Sequence, residues 1–215
     1  MPLLSTLRPA GACVVALWEI EETEPTLRTG LRLTPEEEAD LTGITHPAQR
    51  VEWLACRSAM HQLSQSQGFT YQGMVKDEYG KPHLIGLPGH ISLSHTSGWA
   101  AAVWHPDKPV GLDIEPLRAQ FSRVVPRVLS AGEVLHADGN LHRLAMYWCA
   151  KEALYKLYGK RQLTFREHLH IEPFADEDTL LTGHVRLPDH FETPPENPIR
   201  IFCFRTGPGL LAVAF

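Results

Sequence analysis

Shifted by 95 residues, this sequence resembles itself, and a duplicated chain must fold as two similar bodies. Trp53 and Trp148 stand at that spacing, and Ala16-Leu17-Trp18-Glu19-Ile20 matches Gly111-Leu112-Asp113-Ile114-Glu115 in strand-like character. Each half then offers a helix start. Thr34-Pro35-Glu36-Glu37 and Ser130-Ala131-Gly132-Glu133 fit the capping box, in which a hydroxyl caps the first turn and a glutamate reaches back. Longer helices follow, from Val51 to Gln62 and from Leu141 to Tyr158. Each half closes on an alanine-rich apolar run, Trp99 to Trp104 and Leu210 to Phe215. Strands are also expected over Thr179 to Arg186 and Ile199 to Arg205, with a loop at Glu192-Thr193-Pro194-Pro195-Glu196-Asn197-Pro198 between them. The fold class expected is α+β, with an N-terminal half at 1–108 and a C-terminal half at 109–215. The same alignment sets Arg57 opposite Glu152, so a cleft between the halves would have a basic side and an acidic side.

The acidic side is the more informative. In Val110-Gly111-Leu112-Asp113-Ile114-Glu115 the period of two throws Asp113 and Glu115 onto one face of a strand whose other residues are apolar. In Trp148-Cys149-Ala150-Lys151-Glu152-Ala153-Leu154-Tyr155-Lys156 the helical period sets Glu152 and Lys156 one turn apart. Taken singly, these are strand-end acids facing water and a surface ion pair. Taken together, three carboxylates without thiolates suit a hard cation such as Mg²⁺, and the neighbouring lysines suit phosphate. Two further segments fit an anion. Ser92-Leu93-Ser94-His95-Thr96-Ser97-Gly98 offers hydroxyls, an imidazole and turn amides, and the turn Tyr79-Gly80-Lys81-Pro82 offers a lysine. The bland alternatives are a hydrogen-bonded turn and a solvated lysine.

The whole chain narrows the classes. A length of 215 residues with 43% hydrophobic and 21% charged residues suffices for a core without staples. No apolar run approaches the roughly 18 to 20 residues of a membrane span, and the N-terminus shows no secretory signal, so the expected compartment is the cytoplasm. A net charge of −5 argues against bulk attraction to nucleic acid. The four cysteines are dispersed and read as buried thiols, and His168-Leu169-His170 lacks the spacing of a zinc site. No Walker loop and no nucleophile elbow occur.

Gly80-Lys81-Pro82, Ile91-Ser92-Leu93-Ser94-His95, the Val110–Glu115 strand and the Trp148–Lys156 helix, in this order, resemble the motif series of the 4′-phosphopantetheinyl transferases of the larger, surfactin-synthetase-activating type. The resemblance implies two α+β halves about a pseudo-two-fold axis. It implies transfer of the phosphopantetheine arm of coenzyme A to a serine of an acyl or peptidyl carrier protein, releasing 3′,5′-ADP. By that likeness Asp113, Glu115 and Glu152 hold Mg²⁺, for which Mn²⁺ can substitute, and Glu152 and Lys156 are catalytic. Lys151 and Lys156 would neutralise phosphate charge, while Arg57, Lys81, Pro82, Ser94 and His95 would bind coenzyme A. Cys149 departs from the serine or threonine frequent at its position and is read as a packing residue. Carrier proteins are usually acidic, so docking on a chain of net charge −5 needs a local patch, for which Arg118, Arg123 and Arg127 are candidates. A monomer is expected. The competing readings are a non-catalytic coenzyme A or carrier-binding module of the same fold and another Mg²⁺-dependent phosphate enzyme.

Overall fold

Local sequence dictates the two longest helices, and each is laid on a sheet. The computed structural model describes residues 4–160, 163–187, 198–207 and 209–215. Most of the loop expected at Glu192 to Pro198 lies outside these. The described chain divides into two units, Met1–Val110 and Gly111–Phe215.

In the first unit the elements run β1 (Leu4–Leu7), β2 (Val14–Glu19), α1 (Glu24–Thr29), α2 (Pro35–Gly43), α3 (Pro47–Ser66), β3 (Met74–Lys76), β4 (Pro82–Leu84), β5 (His90–Thr96) and β6 (Trp99–His105). An antiparallel sheet of order β1-β2-β6-β5 carries α3, and β3 and β4 form a separate two-stranded ribbon. Thr34 caps α2, its side chain accepting from the Glu37 amide while the Glu37 carboxylate accepts from the Thr34 amide. A capping box of this kind contributes about 1 kcal/mol per cap. The α3 residues Leu54, Ala55, Ala59, Met60 and Leu63 bury the apolar stripe against Val14, Ala16, Ile91, Ala100 and Ala102 of the sheet.

β5 and β6 form a hairpin in which Thr96 faces Trp99, leaving Ser97 and Gly98 as the whole turn; Gly98 takes the positive φ such a turn needs. The segment expected as a hydroxyl-lined anion loop is therefore strand through Thr96. Strand alternation puts Ser92, Ser94 and Thr96, each no more than 6% exposed, on one face of β5, and the exposed His95 on the other, the face that Ile91 packs against α3.

The second unit runs β7 (Gly111–Pro116), α4 (Phe121–Val124), a turn of 3-10 helix (Val125–Arg127), α5 (Ala131–Ala137), α6 (Leu141–Tyr158), α7 (Phe165–His168), β8 (Leu169–Ile171), β9 (Leu180–Val185), β10 (Ile199–Arg205) and β11 (Gly209–Ala214). Its sheet, order β7-β11-β10-β9-β8, is antiparallel at every pairing and carries α6 against β7 and β11. Ser130 and Glu133 form the second capping box, at the start of α5. Asn140 caps α6 by accepting from the amides of His142 and Arg143, and Gly159, in the left-handed region, ends it. Gly111 is a close-approach glycine, since a Cβ there would collide with the backbone of Ala153 and Leu157 in α6. That contact seats the start of β7 directly on the helix. All four cysteines are buried free thiols.

Candidate active site

The second unit gathers the carboxylates. β7 is apolar and fully buried at Leu112 and Ile114, so its alternate residues Asp113 and Glu115 project together toward α6. On α6 the residues Trp148, Glu152, Tyr155 and Lys156 share one stripe by the 3.6-residue period. The register set at Gly111 brings the two rows together. Lys156 Nζ donates to Asp113 Oδ1 at 2.8 Å, and the Trp148 indole N–H donates to Glu115 Oε1 at 3.0 Å. Trp148 is in turn stacked on Phe165, with ring centroids 5.9 Å apart, and Phe165 stacks on Tyr155 at 5.3 Å. Below them the Cys149 thiol donates to the Asp113 carbonyl at 3.4 Å, and burial pushes its pKa well up, which fits the packing role.

The electrostatics follow from this crowding. Burial, helped by the negative charges of Asp113 and Glu115 and opposed by Lys156, raises the Glu152 carboxyl to about 7. Burial also raises Glu115, with Asp113 adding to the shift and the Trp148 hydrogen bond opposing it. Lys156 is pulled down by burial but held above an ordinary lysine by Asp113 and Glu152. Lys156, with Arg118 3.9 Å from Glu115 at the edge, faces three carboxylates, a surplus of negative charge that a hard cation can balance. Among the described residues no three such side chains are gathered into a ready-made cage. Mg²⁺ does not need one, because it is commonly held by one or two carboxylates and completes its shell with water and substrate phosphate. The donor set of Asp113, Glu115 and Glu152 fits that ion chemically.

Two residues expected at phosphate are held by protein partners. Lys151 is fully buried: its ammonium pairs with Glu133 at 2.7 Å and donates to the carbonyls of Val128 at 3.2 Å and Phe165 at 2.9 Å. Those three partners satisfy all three of its donors. Arg57 is 6% exposed, paired with Glu37 at 3.1 Å, and its guanidinium lies over the Trp53 ring. In each unit, therefore, the capping-box glutamate of one helix grips a buried cation on the long helix after it. By partners Arg57 corresponds to Lys151, not to Glu152 as the 95-residue alignment has it.

The other expected anion ligands lie in the first unit. Lys81 stands in a turn held by the Asp77 carboxylate, which accepts from the amides of Tyr79 and Lys81 at 2.9 Å each. Burial lowers the Lys81 ammonium to about 8 despite Asp77 nearby. Pro82 opens β4, which contacts β5. On β5 the Ser94 hydroxyl and the His95 ring lie on opposite faces of the strand. His95 Nδ1 is 3.0 Å from Glu52 on α3. Sequence reasoning missed Glu52, Phe165 and the second role of Glu133. Glu52 and Phe165 sit in no motif, and Glu133 was legible only as the capping-box glutamate.

Residues 109–196, the part of the chain that holds Asp113, Glu115, Trp148, Glu152 and Lys156, match the model of the 4′-phosphopantetheinyl transferase superfamily. Two Bacillus subtilis proteins, a 4′-phosphopantetheinyl transferase and the 4′-phosphopantetheinyl transferase ffp, are each 32% identical to the chain over 89 residues. Each match covers 39% of this chain and 39% of the relative, so the chain is matched over about two fifths of those relatives' length. No helix of the described residues is long and apolar enough to cross a membrane.

Proposed function

We propose that the protein transfers the 4′-phosphopantetheine arm of coenzyme A to a serine hydroxyl of an acyl or peptidyl carrier protein, with release of 3′,5′-ADP. The observation that carries this reading is the convergence of Asp113, Glu115, Glu152 and Lys156 inside the stretch that matches the superfamily. In this reading Asp113, Glu115 and Glu152 hold Mg²⁺, which when bound supplies charge neutralisation at the pyrophosphate. Glu152 accepts the serine proton, directly or through water; a carboxyl raised to about 7 is matched to that task near neutral pH. Lys156 offers its ammonium to the phosphate oxygens on which charge grows, and Asp113 aims it. Trp148 keeps Glu115 turned toward α6 through the indole hydrogen bond. Lys151 and Arg57, held inside, do not touch phosphate in this account.

Lys81 and His95 read the nucleotide end of coenzyme A, each presenting a donor from the first unit. We further read the two units as copies of one plan, on the support of paired capping boxes, paired buried cations and a long helix on each sheet. The carrier docks on the segment after β7, where Leu117, Val124 and Leu135 are exposed beside Arg123 and Arg127. An apolar surface with basic neighbours suits an acidic partner.

Incubation with Mg²⁺, coenzyme A and a panel of apo carrier proteins, followed by intact-mass measurement, tests the reaction. A carrier heavier by one phosphopantetheine is the expected result. Failure of every carrier to gain that mass, with coenzyme A shown to bind, would reduce the protein to a binding module.

A further inference from the structure

We infer that Glu52 is a positioning residue for recognition of the 3′-phosphate of coenzyme A, acting through His95; the inference rests on the reading that His95 holds that phosphate. Glu52 belongs to α3 and His95 to the face of β5 that looks toward α3, near the strand's end, and the two elements pack together. The Glu52 carboxylate lies 3.0 Å from His95 Nδ1, and its side chain is 17% exposed against 43% for the imidazole. A half-buried carboxylate thus grips the inner nitrogen of a ring whose remaining surface is open.

An imidazole has two nitrogens with separate jobs. When one donates its proton to a carboxylate, the ring's rotation is fixed and the other nitrogen is the one left for a ligand. Glu52 therefore leaves Nε2 as the nitrogen that meets phosphate, and it does so from a helix that the sheet already holds rigid. Without this anchor, the exposed His95 side chain would sample several rotamers, and ordering it would oppose binding. A carboxylate close to an anion site also repels the anion. The orientation it confers must outweigh that repulsion for the inference to hold, which makes the sign of the effect a test.

Titration calorimetry with coenzyme A and with dephospho-coenzyme A separates the possibilities for the wild type, Glu52→Ala and Glu52→Gln. The wild type is expected to prefer coenzyme A. Glu52→Ala is expected to weaken coenzyme A binding by about tenfold while leaving the dephospho form within about twofold, as loss of one close carboxylate–imidazole contact allows. Glu52→Gln keeps an acceptor for Nδ1–H and is expected to recover most of the preference. If Glu52→Ala keeps the full preference, binds coenzyme A more tightly, or weakens both ligands alike, the role of Glu52 is overturned while that of His95 stands. If the wild type itself does not distinguish the two ligands, the anchor reading of His95 falls and the inference with it.

Discussion

Lys156 Nζ sits 2.8 Å from Asp113 Oδ1, so the cation of α6 and the first carboxylate of β7 are already joined before any ligand arrives. As a resting pair, each group holds the other in the place where its charge is used. Asp113 is only 6% exposed in this pair, so losing its cation should cost about 3 to 5 kcal/mol of stability, whereas a cation removed from a pyrophosphate in a closing site costs on the order of a hundredfold in rate. Lys156→Met keeps the packing of the stem and deletes the charge. Single-turnover transfer is expected to fall by roughly a hundredfold or more. A rate within a few-fold of wild type would make Lys156 a structural partner of Asp113 and nothing more.

Glu152 gives a prediction in which stability and activity move in opposite directions. Its carboxyl titrates near 7 in the folded protein against an ordinary value of 4.5, so between those values the folded state holds more protons than the unfolded chain. Stability is therefore lost as pH rises through that window, and the loss is complete above about 7. Glu152→Gln removes the buried charge. Without added metal, its Tm should exceed that of wild type at pH 8, and the gap should close as the pH is lowered toward 4.5. Transfer should be nearly abolished in the same variant. A Tm difference that does not change with pH would contradict the placement of Glu152 in this acidic cluster.

The Lys151–Glu133 pair should behave as structure. Lys151→Met leaves Glu133 buried without its cation, which is expected to cost about 3 to 5 kcal/mol of stability. The double variant Lys151→Met/Glu133→Gln should recover a large part of that loss, because neither charge is then left alone. Chemical denaturation of the three proteins measures it. A Lys151→Met protein of undiminished stability but lost turnover would return Lys151 to the phosphate.

What the sequence showed was whatever depends on near neighbours. Both capping boxes, the span Leu141–Tyr158 and the strand from Gly111 follow from local pattern, and the structure has them where the pattern puts them. The pairing of Asp113 with Lys156 was accessible too, because two periodicities fixed which side chains share a face. Burial was not. Arg57 and Lys151 look like any other cations on a helix, and only packing against Trp53, Val128 and Phe165 shows that they point inward. A serine-rich stretch before Gly98 reads equally as loop or strand until its pairing with β6 settles it. The Glu52–His95 contact joins residues 43 apart on different elements, and no spacing rule reaches that far.

Removing a carboxylate should act on chemistry more than on folding. Asp113→Asn keeps the shape of the side chain and an acceptor for Lys156 but removes the charge that Lys156 meets and that Mg²⁺ would meet on the proposed function. The expected cost is several kcal/mol of transition-state stabilisation, with the cooperative unfolding transition retained. Transfer near the wild-type rate at saturating Mg²⁺ would remove Asp113 from the metal set.

The account rests most heavily on the claim that these side chains move an intact phosphopantetheine arm and do not merely bind or hydrolyse coenzyme A. The measurement that tests it most directly is a single-turnover balance, in which carrier mass and free nucleotide are followed together with Mg²⁺ present. One phosphopantetheine gained per 3′,5′-ADP released, with both signals lost in Glu152→Gln, is the expected result. Nucleotide released without any gain by the carrier, or carrier modification undiminished in Glu152→Gln, would contradict it.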